Sequence, residues 1–214
     1  MRPIFCAFVL LLVAQMSYSQ TVGVVLSGGG ATAAAHVGFL RALEEENIPI
    51  DYIAGTSMGA VVGGYYAAGY SVDQIDSILN SKEFKEITQR EVNDDLRYYF
   101  KTPEDNASMG TVKFSKGKWI SSSLPTNIGN PIRLDFDLMN HFSKASGAAN
   151  YDFDQLYIPF RCNATDIELE EEVVFRSGNL ATAIRASMTY PFFVEPIRVD
   201  GKLLFDGGIL NNFP

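Results

Sequence analysis

Hydrophobic positions in this chain come as short runs separated by glycine-rich turns, a pattern of strands alternating with helices. Residues 21–26 (TVGVVL) are almost continuously apolar, as expected of a buried strand in a parallel sheet. They lead into Ser27-Gly28-Gly29-Gly30-Ala31-Thr32-Ala33, then a helix with Val37, Leu40 and Leu43 on one stripe. Asn47 is positioned to cap that helix and Ile48-Pro49 to end it. Tyr52-Ile53-Ala54 is the next short strand; Gly55-Thr56-Ser57-Met58-Gly59 turns it into a small-residue helix closed by Gly69. Ser71-x-x-Gln74 has the form of a capping box for a helix through Leu79. Residues 80–150 read as a variable insert or lid, least legible from 100 onward, with a hairpin predicted at 111–114 and 118–121. Strands are then expected at 156–164 and 172–175, a helix at 180–188, and a hairpin of 196–199 with 202–205 across Asp200-Gly201.

This order predicts an α/β fold with its site at the strand ends. The 214 residues suit one domain of ordinary size. Apolar residues at 47% and charged ones at 20% exclude a disordered or fibrous chain. A formal charge of -8 argues against nucleic acid as a partner, and it leaves any lipid contact to local apolar surface. Residues 1–19, with Arg2 ahead of an apolar run and Ser17-Tyr18-Ser19 at its end, read as a signal peptide; residues 20–214 form the domain proper. Export then places the protein in the periplasm, at the outer membrane or outside the cell. Cys6 leaves with the leader, so Cys162 stands alone as a core residue and the fold does not rest on disulfides. The chain stops at Asn211-Asn212-Phe213-Pro214 without a closing element, which reads as a fragment of a longer protein.

Three stretches carry candidate chemistry. Gly55-Thr56-Ser57-Met58-Gly59 is a G-x-S-x-G sequence between a strand and a helix, where a sharp turn lifts the Ser57 hydroxyl above the sheet. Asp206, followed by Gly207 and Gly208, ends the last strand and could serve Ser57 as a base. The alternative for Asp206 is a turn residue capping its own loop. Gly28-Gly29-Gly30 before a helix offers backbone N–H groups to an oxyanion or a phosphate. No histidine follows residue 141, which excludes a Ser-acid-His order with Asp206 as the acid. His36 reads as a brace for the glycine loop and His141 as a solvated or core residue. A Walker loop is absent, and a dinucleotide fingerprint fails because Asp51 begins the second strand instead of ending it. No metal or cofactor is expected. Tyr190, Phe192 and Phe193 either line an acyl groove or, the commoner role for such side chains, lie in the core.

Taken together, GGG before a helix, GTSMG in an elbow and DGG near the end resemble the patatin-like phospholipase family. FDQLYIPFRCNATDIE, SGNLATAIRASMTYPFF and VDGKLLFDGGILNNFP look like that family's later segments; residues 80–150 match poorly. The resemblance implies a three-layer α/β/α fold with a mostly parallel sheet. It also implies a Ser57–Asp206 dyad and an oxyanion hole of Gly28, Gly29 and Gly30, to which the Met58 N–H is added on physical grounds. Gly55 and Gly59 shape the elbow, and Gly207 and Gly208 the acid loop. The family continues its glycines with Ala-Arg/Lys-Gly; Ala31-Thr32-Ala33 here lacks the cation, while the backbone donors remain. The implied activity is phospholipase A-type acyl hydrolysis of phospholipid or another acyl ester at a membrane surface. The exported, acidic chain also resembles bacterial members that carry an outer-membrane β-barrel after this domain. The same parts serve an acyltransferase; a catalytically silent lipid- or anion-binding module is the non-enzymatic alternative.

Overall fold

A computed structural model describes residues 20–89 and 131–214. The segment 1–19, read above as a leader, and the hairpin expected at 111–114 and 118–121 lie outside the described residues. Six strands form one sheet: β1 (Gly23–Leu26), β2 (Tyr52–Gly55), β3 (Phe160–Asp166), β4 (Glu171–Phe175), β5 (Ile197–Val199) and β6 (Lys202–Asp206). The helices are α1 (Ala33–Glu45), α2 (Met58–Ala67), α3 (Val72–Asn80), α4 (Lys82–Gln89), α5 (Ile132–Ala148) and α6 (Leu180–Ser187). The chain is therefore α/β, and its sheet is mixed. β1, β2 and β3 run parallel; β4 and β6 are antiparallel to β3, and β5 is antiparallel to β6.

The register around β3 decides where the site lies. β4 and β6 both pair with residues 164–166, so they occupy opposite edges of β3. Cys162 pairs with Phe175 of β4 and with Gly55 of β2, which puts β2 on the edge away from β4. β2 and β6 therefore share one edge of β3. They run toward each other, one ending at Gly55 opposite Cys162 and the other at Asp206 opposite Ala164. Only Asn163 separates the two ends along β3.

Helix α2 lies at the centre, and nearly every residue in it is buried. Its small side chains are a packing requirement: a Cβ on Gly63 would sit 2.8 Å from Ile53 Cγ2 of the sheet. Leu26, Ile53 and Phe160 face this helix within the main core, while Val25, Ala54 and Arg161 between them are only partly buried. The predicted capping box at Ser71 and Gln74 is formed in both directions. Asn47 sits at φ 54, the left-handed conformation that ends α1. The third strand starts at Phe160 and not at residue 156, because Phe153–Gln155 form a 3-10 turn and Pro159 has no N–H to give a ladder. No helix among the described residues is long and apolar enough to cross a membrane.

Helix α5 corrects the reading of its segment as part of a lid. Leu134, Leu138 and Phe142, four apart, are buried in the main core, and α5 packs along α6. The guanidinium of Arg185, almost fully buried on α6, ties the pair together by donating from Nε to Asp135 at 2.5 Å. Phe136, on the other side of α5, is 73% exposed.

Phe142→Ala is expected to cost about 3–5 kcal/mol by leaving a cavity. Phe136→Ser is expected to change stability by less than about 0.5 kcal/mol. Chemical denaturation of the two variants checks this; equal, small effects would mean α5 stands apart from the core.

Candidate active site

Between the end of β2 at Gly55 and the start of α2 at Met58 only Thr56 and Ser57 remain to reverse the chain. The turn is held by Thr56 N–H donating to Leu26 O (3.0 Å) and Gly59 N–H donating to Thr56 O (2.8 Å). So tight a turn leaves no room for side chains: a Cβ on Gly59 would run into the Leu26 carbonyl, and one on Gly55 would lie 2.5 Å from Gly59 O. Ser57 itself sits at φ 53 and ψ −120, a region that costs a non-glycine residue about 1–3 kcal/mol. Its N–H donates to Ser187 Oγ at 2.9 Å, which anchors the strained residue to the end of α6.

Asp206 is the last residue of β6, with its N–H on Thr189 O (2.8 Å) and its carbonyl accepting from Thr165 Oγ1 (3.0 Å). One carboxylate oxygen accepts the Gly208 N–H at 2.8 Å; the other accepts the Ser57 hydroxyl at 2.6 Å. Ser57 and Asp206, 149 positions apart, thus meet directly. The carboxylate is almost completely buried, and burial pushes its pKa above the usual carboxylate range although the bonds from Ser57 and Gly208 pull the other way. A hydroxyl bonded to such a carboxylate can lose its proton to it while attacking a carbon.

The pair opens into a cleft of about 590 Å³ lined by the glycine loop, by Tyr190, Pro191 and Phe192, and by Gly208, Ile209 and Asn212. Gly28, Gly29 and Gly30 all reach it, but they are not equivalent. The Gly28 N–H donates to Asn212 O at 3.3 Å, and a Cβ on Gly28 would touch the Ser57 Cβ at 3.0 Å. Met58 opens α2 directly behind Ser57, where the first N–H groups of a helix have no intrahelical acceptor. Its side chain is buried and does not line the cleft. Gly207 lies under the acid turn against Asn163. Thr32, standing where the resembling family has a cation, donates its hydroxyl to Gly29 O at 2.6 Å. His36 Nε2 lies 2.9 Å from Ser27 O and 3.3 Å from Thr32 Oγ1, so His36 braces the loop as the sequence suggested.

Other expectations divide. Cys162 is buried and its thiol pushed up by burial, as for a core residue. His141 does not line the cleft; it contacts the Tyr70 hydroxyl and lies 3.6 Å from Asp137. The core reading of the aromatic trio is corrected: Phe192 is 73% exposed and lines the cleft with Tyr190, against which Phe193 packs edge-on. Phe192 takes φ 66, in the left-handed region that few bulky residues adopt. Among the described residues no cluster of three or more His, Cys, Asp or Glu could hold a metal. Sequence reasoning missed Ser187, Asn163 and Asn212; a polar Asn inside an otherwise buried strand was the one available signal.

Comparison with known proteins places the chain in a family. Over 94% of its length the chain is 32% identical to a patatin-like phospholipase domain-containing protein of Caenorhabditis elegans, of which it spans 13%. It is 31% identical over 95% of its length to lysophospholipase NTE1 of Kluyveromyces lactis, spanning 12% of that protein. An NTE family protein of Mycobacterium bovis is 34% identical over 92% of the chain, which spans 45% of that relative. In three dimensions VipD from Legionella pneumophila superposes with a TM-score of 0.56 at 15% identity, over 92% of this chain and 47% of that one, a likeness of fold. The profile of the patatin-like phospholipases matches residues 24–214, and the chain belongs to that family.

Proposed function

We propose that the domain is a lipid acyl hydrolase in which Ser57 is the nucleophile and Asp206 the base. The observation that carries this is the 2.6 Å bond from the Ser57 hydroxyl to a buried carboxylate beside a glycine loop, inside an apolar-lined cleft. Asp206 takes the Ser57 proton as Oγ bonds to the ester carbonyl carbon. The resulting oxyanion lies against the N–H groups of Gly29, Gly30 and Met58, with Gly28 available once its 3.3 Å bond to Asn212 opens. As the tetrahedral species collapses, the C–O bond to the alcohol breaks and Asp206 returns the proton to the departing oxygen. Water then attacks acyl-Ser57, again giving its proton to Asp206, and the fatty acid leaves with the Ser57 hydroxyl restored.

Family membership supports a phospholipid or other acyl-ester substrate, and the relative named a lysophospholipase points the same way. Tyr190 and Phe192 at the cleft suit an acyl chain. Their exposure, on a chain of charge -8, favours apolar contact with a lipid surface over attraction to anionic headgroups. Action outside the cytoplasm rests on the leader alone.

A fluorophosphonate probe tests the nucleophile: the wild-type protein is expected to label and Ser57→Ala not at all, whereas equal labelling of both would remove Ser57 from the chemistry. The base sets a pH dependence. Protonated Asp206 cannot accept the Ser57 proton, so the labelling rate should rise with pH through a midpoint above the ordinary Asp value of about 3.9. Asp206→Asn should lower the rate by about a thousandfold or more. The same raised pKa means the folded protein holds this proton more tightly than the unfolded chain, so stability falls as pH rises through the window between the two values. Asp206→Asn removes that pH dependence, so the wild-type melting temperature should fall relative to that of the variant as pH rises through this window; a difference that stays constant with pH would contradict the raised pKa.

A further inference from the structure

One buried amide touches both halves of the site. Asn163 of β3 is fully buried at the gap between the facing ends of β2 and β6. Its Oδ1 accepts the hydroxyl of Thr56, the residue before Ser57, at 2.7 Å. Its Nδ2 donates to Asn211 O, in the turn after Asp206, at 2.8 Å. The second Nδ2 hydrogen goes to Glu172 Oε1 of β4, also at 2.8 Å, and Asn211 Nδ2 donates to the same oxygen at 3.0 Å. Gly207 packs on this residue so closely that a Cβ there would lie 2.5 Å from both Asn163 O and Asn163 Oδ1.

Glu172 decides which way the amide points. An ionised carboxylate only accepts hydrogen bonds, as does the Asn211 carbonyl. With the amide reversed, Oδ1 would face two acceptor oxygens at 2.8 Å with no hydrogen between them, and Nδ2 would lose both bonds. The observed orientation is therefore the satisfied one, and it presents Oδ1 to the elbow. Thr56 has the same full burial as Asn163, so the bond between them is shielded from water. The elbow and the acid turn carry the two groups that must stay at hydrogen-bond distance; both are tied to the Asn163 side chain, and the Thr56 hydroxyl also lies 3.2 Å from Asn211 O.

We propose that Asn163, oriented by Glu172, is a positioning residue that sets the Ser57–Asp206 separation by holding the elbow through Thr56 and the acid turn through Asn211. The proposal rests on the reading of Ser57 and Asp206 as nucleophile and base. It predicts a loss of reactivity at Ser57 out of proportion to any loss of fold, since a displacement of about 1 Å between reacting groups can cost about a hundredfold in rate.

The test compares wild type with Asn163→Ala, Thr56→Val, Glu172→Ala and Glu172→Gln. Readouts are the fluorophosphonate labelling rate, kcat and KM on a soluble p-nitrophenyl ester, and the melting temperature. Asn163→Ala and Thr56→Val should lower the labelling rate and kcat by about ten- to a hundredfold, with KM held within about twofold. Glu172→Ala should fall by about threefold or more, and Glu172→Gln should recover most of the wild-type rate, because its carbonyl still accepts the Asn163 amide. Thr56→Val keeps the side-chain volume and decides the matter should Asn163→Ala fail to fold. If folded Thr56→Val labels at the wild-type rate, the positioning role is overturned; if Glu172→Gln falls as far as Glu172→Ala, orientation by hydrogen bonding is. A wild-type protein that never labels would instead overturn the Ser57–Asp206 reading, and this proposal with it.

Discussion

Two strands that run toward each other along one edge of β3 impose the constraint on which the rest depends. β2 stops opposite Cys162 and β6 opposite Ala164, so the residues just past each end have no strand to continue into and must turn out of the sheet. One turn delivers Ser57 and the other begins at Asp206. Their 2.6 Å contact follows from sheet register, with no mobile loop needed to bring them together. A parallel partner paired with the same residues would end opposite Asp166, further from Gly55, instead of opposite Ala164. The antiparallel arrival of β6 is thus the part of the topology that the site requires.

Holding two strand ends face to face creates local penalties, and the surrounding residues answer them individually. Ser57 occupies a strained conformation, and its N–H is taken by Ser187 at the end of α6. Asp206 is a buried carboxylate, and each of its oxygens accepts one hydrogen bond. Thr56 and Asn163, both buried and polar, satisfy each other. The segment after α6 is held in the same way. Arg185 reaches Asp135 on α5, Thr189 Oγ1 at 2.5 Å and Glu195 O at 2.8 Å, which brackets the loop carrying Tyr190 and Phe192. Helix α5, distant from the chemistry in sequence, therefore supports the wall of the cleft.

What could be read from sequence alone was what local patterns encode. The elbow, the glycine loop and the Asp-Gly-Gly turn each demand particular residues within a few positions, and the structure brings all three to one cleft. Strands β1, β2, β4 and the β5–β6 hairpin were visible as β-prone runs punctuated by glycine and proline. Helix α5 was hidden because it is apolar on two faces: Ile132, Phe136 and Met139 are exposed, while Leu134, Leu138 and Phe142 are buried, so no single stripe stands out. The Asn163 network was hidden for another reason. Thr56 and Asn163 lie 107 positions apart, and a donor–acceptor pair across that distance leaves no mark on local periodicity. The exposure of Phe192 was misjudged because hydrophobicity alone does not tell a cleft wall from a core.

The most direct test of the central claim is a crystal structure of the protein after reaction with a phosphonate. The facing-strand arrangement predicts phosphorus bonded to Ser57 Oγ, its free oxygen turned toward the Gly29, Gly30 and Met58 N–H groups, and the Asp206 carboxylate still within hydrogen-bond distance of that centre. Phosphorus on another residue, or a free oxygen pointing to solvent with Asp206 several ångströms away, would contradict it.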